Sequence, residues 1–129
     1  MDHKLKLMVV DDSPLFRTWL IRSLSEDDRF QVVGYAVNAL DAQEKIPLLQ
    51  PDMLTLDIEM PGMSGIEFLK QLLPVHPIPV ILVSSLNLRV FDALEAGAVD
   101  FVRKPDEANG LSKEIFLSML RSKLMVAAG

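Results

Sequence analysis

Met8-Val9-Val10-Asp11-Asp12 is an apolar run that ends in two carboxylates, and similar runs recur three times along the chain. The other runs, each followed by a polar residue, are Leu54-Thr55-Leu56 before Asp57, Val80-Ile81-Leu82-Val83 before Ser84, and Val99-Asp100-Phe101-Val102 before Lys104. Ligands of open α/β sheets bind outside the carboxyl ends of the strands. If the runs are neighbouring parallel strands, these polar groups therefore share one site.

Length and composition predict one small domain. The chain has 129 residues, of which half are apolar, and this is enough for a single core. Its net charge of −5 argues against a general nucleic-acid surface. The sequence has no cysteine, no signal peptide and no apolar run near the ~20 residues of a membrane helix, so we expect a cytoplasmic protein without membrane contact. Residues 1–125 are expected to form the domain, with 126–129 as a tail or cut linker.

The chain alternates strand-like and helix-like segments. Continuous apolar runs are typical of strands that are buried on both faces of a parallel sheet. The predicted strands are Leu5 to Val10, Gln31 to Ala36, Met53 to Asp57, Pro79 to Ser84 and Val99 to Val102. With five helices between and after them, they predict a doubly wound, five-stranded parallel α/β sheet of the flavodoxin-like order 2-1-3-4-5. The winding reverses beside the first strand, which places the ligand site near Asp11 and Asp12.

Start and stop signals place the helices. The predicted N-caps are Ser13 (with Pro14 in the first turn), Asn38, Ser64 and Asn87, and Gly97 is expected to end the fourth helix. The spacing of apolar residues predicts the buried stripes of two helices. They are Leu15, Phe16, Trp19, Leu20 and Leu24 in the first helix, and Ile115, Phe116, Met119, Leu120 and Leu124 in the fifth.

The residues at the strand ends suit metal-assisted phosphoryl chemistry. Three neighbouring carboxylates (Asp11, Asp12 and Asp57) repel one another when all are ionised, and a divalent cation relieves this repulsion. Ligands that are all oxygen favour Mg²⁺. Asp57 is then a candidate nucleophile, with Lys104 stabilising charge and Ser84 donating a hydrogen bond to a phosphoryl oxygen. Each residue alone has an ordinary structural explanation; their joint placement at four strand ends favours a site.

Four segments together resemble the receiver domain of two-component response regulators, in order and in spacing. They are Val9-Val10-Asp11-Asp12-Ser13, Leu56-Asp57-Ile58-Glu59-Met60-Pro61-Gly62-Met63-Ser64-Gly65, Val83-Ser84-Ser85 and Phe101-Val102-Arg103-Lys104-Pro105. Within that family, the segments from Leu54 to Pro61 and from Val83 to Leu86 are most similar to the regulatory receivers of chemotaxis protein-glutamate methylesterases.

The resemblance implies a phosphoacceptor and a metal site. Asp57 would accept the phosphoryl group from a phosphohistidine on a sensor histidine kinase. Mg²⁺, for which Mn²⁺ can substitute, would be bound directly by Asp12 and Asp57, through water by Asp11, and by the main-chain carbonyl of Glu59.

The resemblance also implies a switch. Ser84 matches the hydroxyl that moves toward the phosphoryl group, Phe101 the aromatic residue that then turns inward, and Lys104 the lysine of the pattern. The Lys104–Pro105 bond matches one that is cis in receivers. The face made by helix 4, strand 5 and helix 5 would then control an output domain or partner protein. The chain would be a monomer or a weak, phosphorylation-dependent dimer.

The sequence leaves the output and two other functions open. The output is expected to be a methylesterase, but the chain has no Gly-x-Ser-x-Gly elbow, so this domain alone would not hydrolyse esters. A receiver with a DNA-binding output, or one that stands alone, is the alternative. A haloacid-dehalogenase-type phosphatase would carry Asp where Glu59 stands, and a flavodoxin-like cofactor module would need a phosphate-binding glycine loop.

One segment departs from the family pattern. The 20 positions from Ser84 to Lys104 are a few fewer than the family usually has, and the missing positions fall around Asn87-Leu88-Arg89.

Overall fold

The computed structural model describes residues 4–60, 62–85, 89–106 and 112–129. Within them, five strands alternate with five helices. In chain order these are β1 (Leu5–Val10), α1 (Pro14–Ser25), β2 (Phe30–Ala36), α2 (Ala39–Leu49), β3 (Met53–Leu56), α3 (Gly65–Leu72), β4 (Val80–Ser84), α4 (Arg89–Glu95), β5 (Asp100–Arg103) and α5 (Lys113–Ala128). Each strand lies within a residue or two of its predicted bounds.

The strands form one parallel sheet in the order β2-β1-β3-β4-β5, which confirms the predicted fold class. Every residue of β3 and β4 is buried, as expected for strands covered on both faces. The core residues of α2, α3 and α4 pack on one face of the sheet, and those of α1 and α5 pack on the other. Among the described helices, none is long and apolar enough to cross a membrane.

Most of the predicted helix boundaries are confirmed. The side chains of Ser13, Asn38 and Ser64 each accept a hydrogen bond from the backbone N–H three residues ahead. Gly97 follows α4 with φ of 118°, a conformation that only glycine adopts without strain, and its N–H donates to the Leu94 carbonyl. The predicted cap Asn87 lies outside the described residues.

The predicted apolar stripes were partly wrong. Leu15 is 88% exposed on α1, and Ile115 and Met119 are 51% and 41% exposed on α5. Since neighbouring residues of a helix point about 100° apart, a single contact with the sheet buries one narrow row, here Phe116, Leu120 and Leu124. Helix α5 continues through Ala128, so residues 126–128 are helical, and a domain limit at residue 125 stays a prediction.

The expectation of a cis Lys104–Pro105 bond was also wrong: the bond is trans, the lower-energy isomer. The Lys104 N–H donates to the Ser84 carbonyl at 2.9 Å and so continues the pairing of β4 with β5 by one residue. The lysine therefore reaches the edge of the sheet through regular strand geometry.

A close backbone contact holds the segment after β3. Gly65, the first residue of α3, donates its N–H to the Ile58 carbonyl at 3.2 Å. A Cβ on Gly65 would lie 2.6 Å from the Ile58 Cα, and real Cβ atoms essentially never come so close. The start of α3 is therefore packed directly against the residue that follows Asp57.

We predict that Gly65→Ala lowers the free energy of unfolding by about 1–3 kcal/mol, because backbone atoms must move to admit the methyl group. Gly34→Ala is the matched control, since its Cβ would also meet an atom at 2.6 Å, but that atom is the flexible end of Leu49. Urea unfolding of both variants measures the difference. Equal losses in the two variants would contradict the role of the Ile58 backbone.

Candidate functional site

Backbone hydrogen bonds carry three predicted site residues onto one edge of the sheet. Just past the carboxyl ends of their strands, Asp11 N–H donates to the Ala36 carbonyl and Asp57 N–H donates to the Val10 carbonyl, each at 3.0 Å. Lys104 makes the corresponding bond to Ser84. The sheet therefore fixes where these side chains begin, at the point where the strand order reverses.

The side chains of Asp11, Asp57 and Lys104 meet in an ion cluster. Lys104 Nζ lies 2.9 Å from Asp11 Oδ2 and 3.2 Å from Asp57 Oδ2. Both carboxylates are buried, and the lysine is mostly buried. At such sites a charge without a partner costs several kcal/mol, so the shared ammonium is what allows two carboxylates to lie side by side.

The remaining carboxylate oxygens accept hydrogen bonds from nearby backbone. Asp11 Oδ1 accepts from Ser13 N–H at 2.8 Å, and Asp57 Oδ1 accepts from Glu59 N–H at 2.9 Å. These bonds orient each carboxylate before any ligand binds.

Burial and neighbouring charges set the ionisation of the site. Burial raises the pKa of Asp57, and the Asp11 charge adds to this, while the Glu59 N–H and Lys104 oppose it. Burial alone would lower the pKa of Lys104, but its bond to Asp11 and the charges of Asp57 and Asp11 leave that pKa raised. Lys104 therefore keeps its positive charge at neutral pH, whereas Asp57 is easier to protonate than an ordinary carboxyl.

The three aspartates form a cluster that could hold a metal ion. Asp11, Asp12 and Asp57 each offer a carboxylate oxygen, and these oxygens lie within 4.8 Å of one another. Asp12 is exposed, so the cluster opens to solvent on one side. An all-oxygen set fits a hard divalent cation. Metal binding by the main-chain carbonyl of Glu59 stays a prediction.

The two predicted switch residues lie on neighbouring strands. Ser84 is 1% exposed, and within the described part of the chain its Oγ has no hydrogen-bond partner. Phe101 is half-buried on β5 beside Leu82 of β4. Lys123 of α5 donates to the Phe101 carbonyl at 2.7 Å, and its Nζ lies 5.6 Å from the Phe101 ring centroid.

Sequence reasoning missed two residues that touch the site. Phe16 was predicted only as part of a buried stripe, yet Lys104 Nζ lies 4.5 Å from its ring centroid. Arg17 donates to the Asp11 carbonyl at 3.0 Å. The one available signal was the cap at Ser13, which starts α1 directly after Asp11 and Asp12 and so brings its first turn to the site.

Comparisons with known proteins agree with this geometry. The sequence profile of the response regulator receiver domain matches residues 7–116. A protein-glutamate methylesterase/protein-glutamine glutaminase 2 of Syntrophomonas wolfei is 48% identical over 126 residues, which are 98% of this chain and 37% of that protein. Its counterpart in Vibrio vulnificus is 44% identical over 132 residues, covering 99% of this chain and 38% of that protein. The chain thus spans well under half the length of these relatives.

Solved structures give the same result. The response regulator domain of Thermotoga maritima CheB superposes with a TM-score of 0.85 at 38% identity, covering 98% of this chain and 97% of that one. The receiver domain of a putative response regulator NarL from Mycobacterium tuberculosis superposes with a TM-score of 0.76 at 32% identity, covering 93% of this chain and 96% of that one. Because the receiver profile matches residues 7–116 and these relatives and structures match nearly the whole chain, the chain belongs to the response regulator receiver domain family.

Proposed function

We propose that this receiver takes a phosphoryl group onto Asp57 with the help of Mg²⁺ and passes the signal through Ser84 and Phe101 to an output domain. The observation that carries the proposal is the placement of one ammonium between two buried carboxylates, beside a third, at the edge of the sheet. Phosphorylation-dependent switching is general in this family.

The chain's own residues have distinct tasks in that reaction. An Asp57 carboxylate oxygen attacks the phosphorus of a phosphohistidine, the P–N bond breaks, and the histidine leaves. Mg²⁺, bound by Asp11, Asp12 and Asp57, would neutralise charge on the phosphoryl oxygens. Lys104 lies where it can turn from Asp57 Oδ2 to a phosphoryl oxygen, and the Glu59 N–H holds the other oxygen of Asp57. Catalysis is therefore chiefly positioning and charge stabilisation.

The buried hydroxyl of Ser84 supplies a reason for switching. A buried hydroxyl without a partner is unfavourable, and a phosphoryl group offers strong acceptor oxygens. A bond from Ser84 Oγ to the phosphoryl group draws this side chain toward Asp57. The neighbouring strand carries Phe101, which then moves into the space that Ser84 leaves.

The proposed partners follow from the relatives. Proteins named protein-glutamate methylesterase match nearly the whole chain, and the chain covers 37–38% of their length. We therefore assign it to the chemotaxis receivers, with a sensor histidine kinase as donor and a methylesterase domain as output.

Methyl-ester hydrolysis by the full-length protein should rise when a phosphodonor is added, and an unchanged rate would remove the methylesterase from the proposal.

Incubation with Mg²⁺ and a small-molecule phosphodonor should add one phosphoryl group, as read by intact mass. The adduct should be lost on hydroxylamine treatment, which cleaves acyl phosphates, and should not form when the metal is chelated. Asp57→Asn should abolish it because the nucleophile is gone.

Asp52→Asn is the control for that experiment, since Asp52 is an exposed aspartate that binds Lys6 N–H away from the site. This variant should take up phosphate like the wild type. An adduct that persists in Asp57→Asn would show that another residue is the acceptor.

Ser84→Ala should raise the free energy of unfolding without phosphate by about 1 kcal/mol, because it removes a buried hydroxyl that has no hydrogen-bond partner among the described residues. Ser23→Ala is the matched control: Ser23 is also buried, but its hydroxyl donates to the Trp19 carbonyl at 2.9 Å, and its loss should destabilise. Ser84→Ala should still be phosphorylated but lose the NMR shift changes near Phe101. A variant that is less stable yet switches normally would refute the proposed role of Ser84.

Without metal, Asp57→Asn should be more stable than the wild type at pH 7. Burial raises the pKa of Asp57 in the folded protein above its ordinary value of 3.8, so the ionised group opposes folding. The stability linked to this group is fully present below the unfolded pKa and is lost as pH rises through the folded pKa. Urea unfolding from pH 8 to pH 4 should therefore show the gap between the variants closing as pH falls.

Asp28→Asn, which removes one carboxylate at an exposed position, is the control for the change in net charge. Added Mg²⁺ should stabilise the wild type more than Asp57→Asn, since the variant lacks one ligand. A gap that widens on acidification would mean that the Asp57 charge favours folding, which is the opposite of what a raised pKa requires.

A further inference from the structure

The ammonium of Lys104 has a third neighbour that carries no charge. Its Nζ lies 4.5 Å from the centroid of the Phe16 ring, well inside the range of about 6 Å for a cation–π interaction. The same ammonium contacts Asp11 and Asp57. Phe16 and Lys104 also line one side of an open cleft of about 440 Å³ next to the site.

Other aromatic rings hold the Phe16 ring in place. Trp19, one turn along α1, packs against it with centroids 5.7 Å apart, and Phe116 of α5 packs edge-on at 5.8 Å. Trp19 and Phe116 also contact each other at 5.9 Å. Phe116 is fully buried, so this three-ring cluster is anchored in the core.

We infer that Phe16 is a positioning residue for the phosphoryl-transfer reaction, holding the Lys104 ammonium at the height of the Asp57 carboxylate by cation–π contact. This inference rests on the proposed function of Asp57 and Lys104. An aromatic face attracts the ammonium without neutralising it, whereas a third carboxylate would compete with the phosphoryl oxygens for the same charge. The ring also excludes water from one side of the ammonium, which strengthens its interaction with charge that develops on the other side.

The test measures the rate of Asp57 phosphorylation by a small-molecule phosphodonor with Mg²⁺, so that no kinase contact with α1 enters the measurement. Phe16→Leu keeps an apolar side chain but removes the aromatic face, and it should slow phosphorylation by about fivefold. Phe16→Tyr keeps the face and should retain the wild-type rate. Leu20→Val removes buried apolar volume one turn further along the same helix without touching an aromatic ring, and it should not change the rate.

A double-mutant cycle separates positioning from general packing. If Phe16 acts through the lysine, the slowing caused by Phe16→Leu should disappear in a Lys104→Met background. A slowing that persists undiminished there, or that Leu20→Val reproduces, would overturn the inference. So would a wild-type rate in Phe16→Leu.

NMR tests the contact itself, whatever the rates. The side-chain protons of Lys104 near Nζ should be shifted upfield by the ring current of Phe16 in the wild type and in Phe16→Tyr, and not in Phe16→Leu. Ordinary shifts in the folded wild type would refute the contact. If the wild type takes up no phosphate on Asp57, the proposed function fails, whereas normal uptake in both wild type and Phe16→Leu defeats only the role of Phe16.

Discussion

One lysine ammonium shared by two buried carboxylates is the interaction on which the site depends. Asp11 and Asp57 follow the neighbouring strands β1 and β3, and Lys104 follows β5, two places further along the sheet. A shift of one residue in any of these strands would turn its side chains to the opposite face and leave a charge buried without a partner. Correct strand register and charge compensation therefore support each other, and the hydrogen bonds from Asp11, Asp57 and Lys104 to adjacent strands tie the two together.

The sheet and the group of polar residues at its edge could be predicted, because the strand sequences determine both. Continuous apolar runs identify buried parallel strands, and the order of such strands leaves few places for a ligand. The buried face of each helix could not be predicted in the same way. Spacing predicted that Leu15 and Met119 face the core, but the part of a helix that touches the sheet depends on how its neighbours pack. The contact between Phe16 and Lys104 joins two elements far apart in sequence, and no periodicity predicts it.

The buried hydroxyl of Ser84 gives the proposed switch an energy scale. A buried polar group without a partner costs about 1–3 kcal/mol, and the cost is recovered when an acceptor arrives. Since about 1.4 kcal/mol corresponds to a factor of ten in an equilibrium constant, this one bond would shift a two-state equilibrium by roughly one to two powers of ten. Such a shift suffices for a signal only if both states are already close in energy. The unphosphorylated state would therefore be slightly less stable, and the equilibrium would respond more strongly to phosphorylation.

Helix α5 contacts the site and the switch by separate side chains. Phe116 supports the ring beneath Lys104, while Lys123 holds the carbonyl and the ring of Phe101 and also binds Asp100 at 3.1 Å. Because a helix of this length moves largely as a rigid body, a displacement at the Phe116 contact also displaces the Lys123 contact. The exposed Ile115 and Met119 belong to the same helix. Under the proposed function, a change in the position of Lys104 on phosphorylation of Asp57 would therefore reach the outer surface of α5 through Phe16 and Phe116. This route would run in parallel with the proposed path through Ser84 and Phe101.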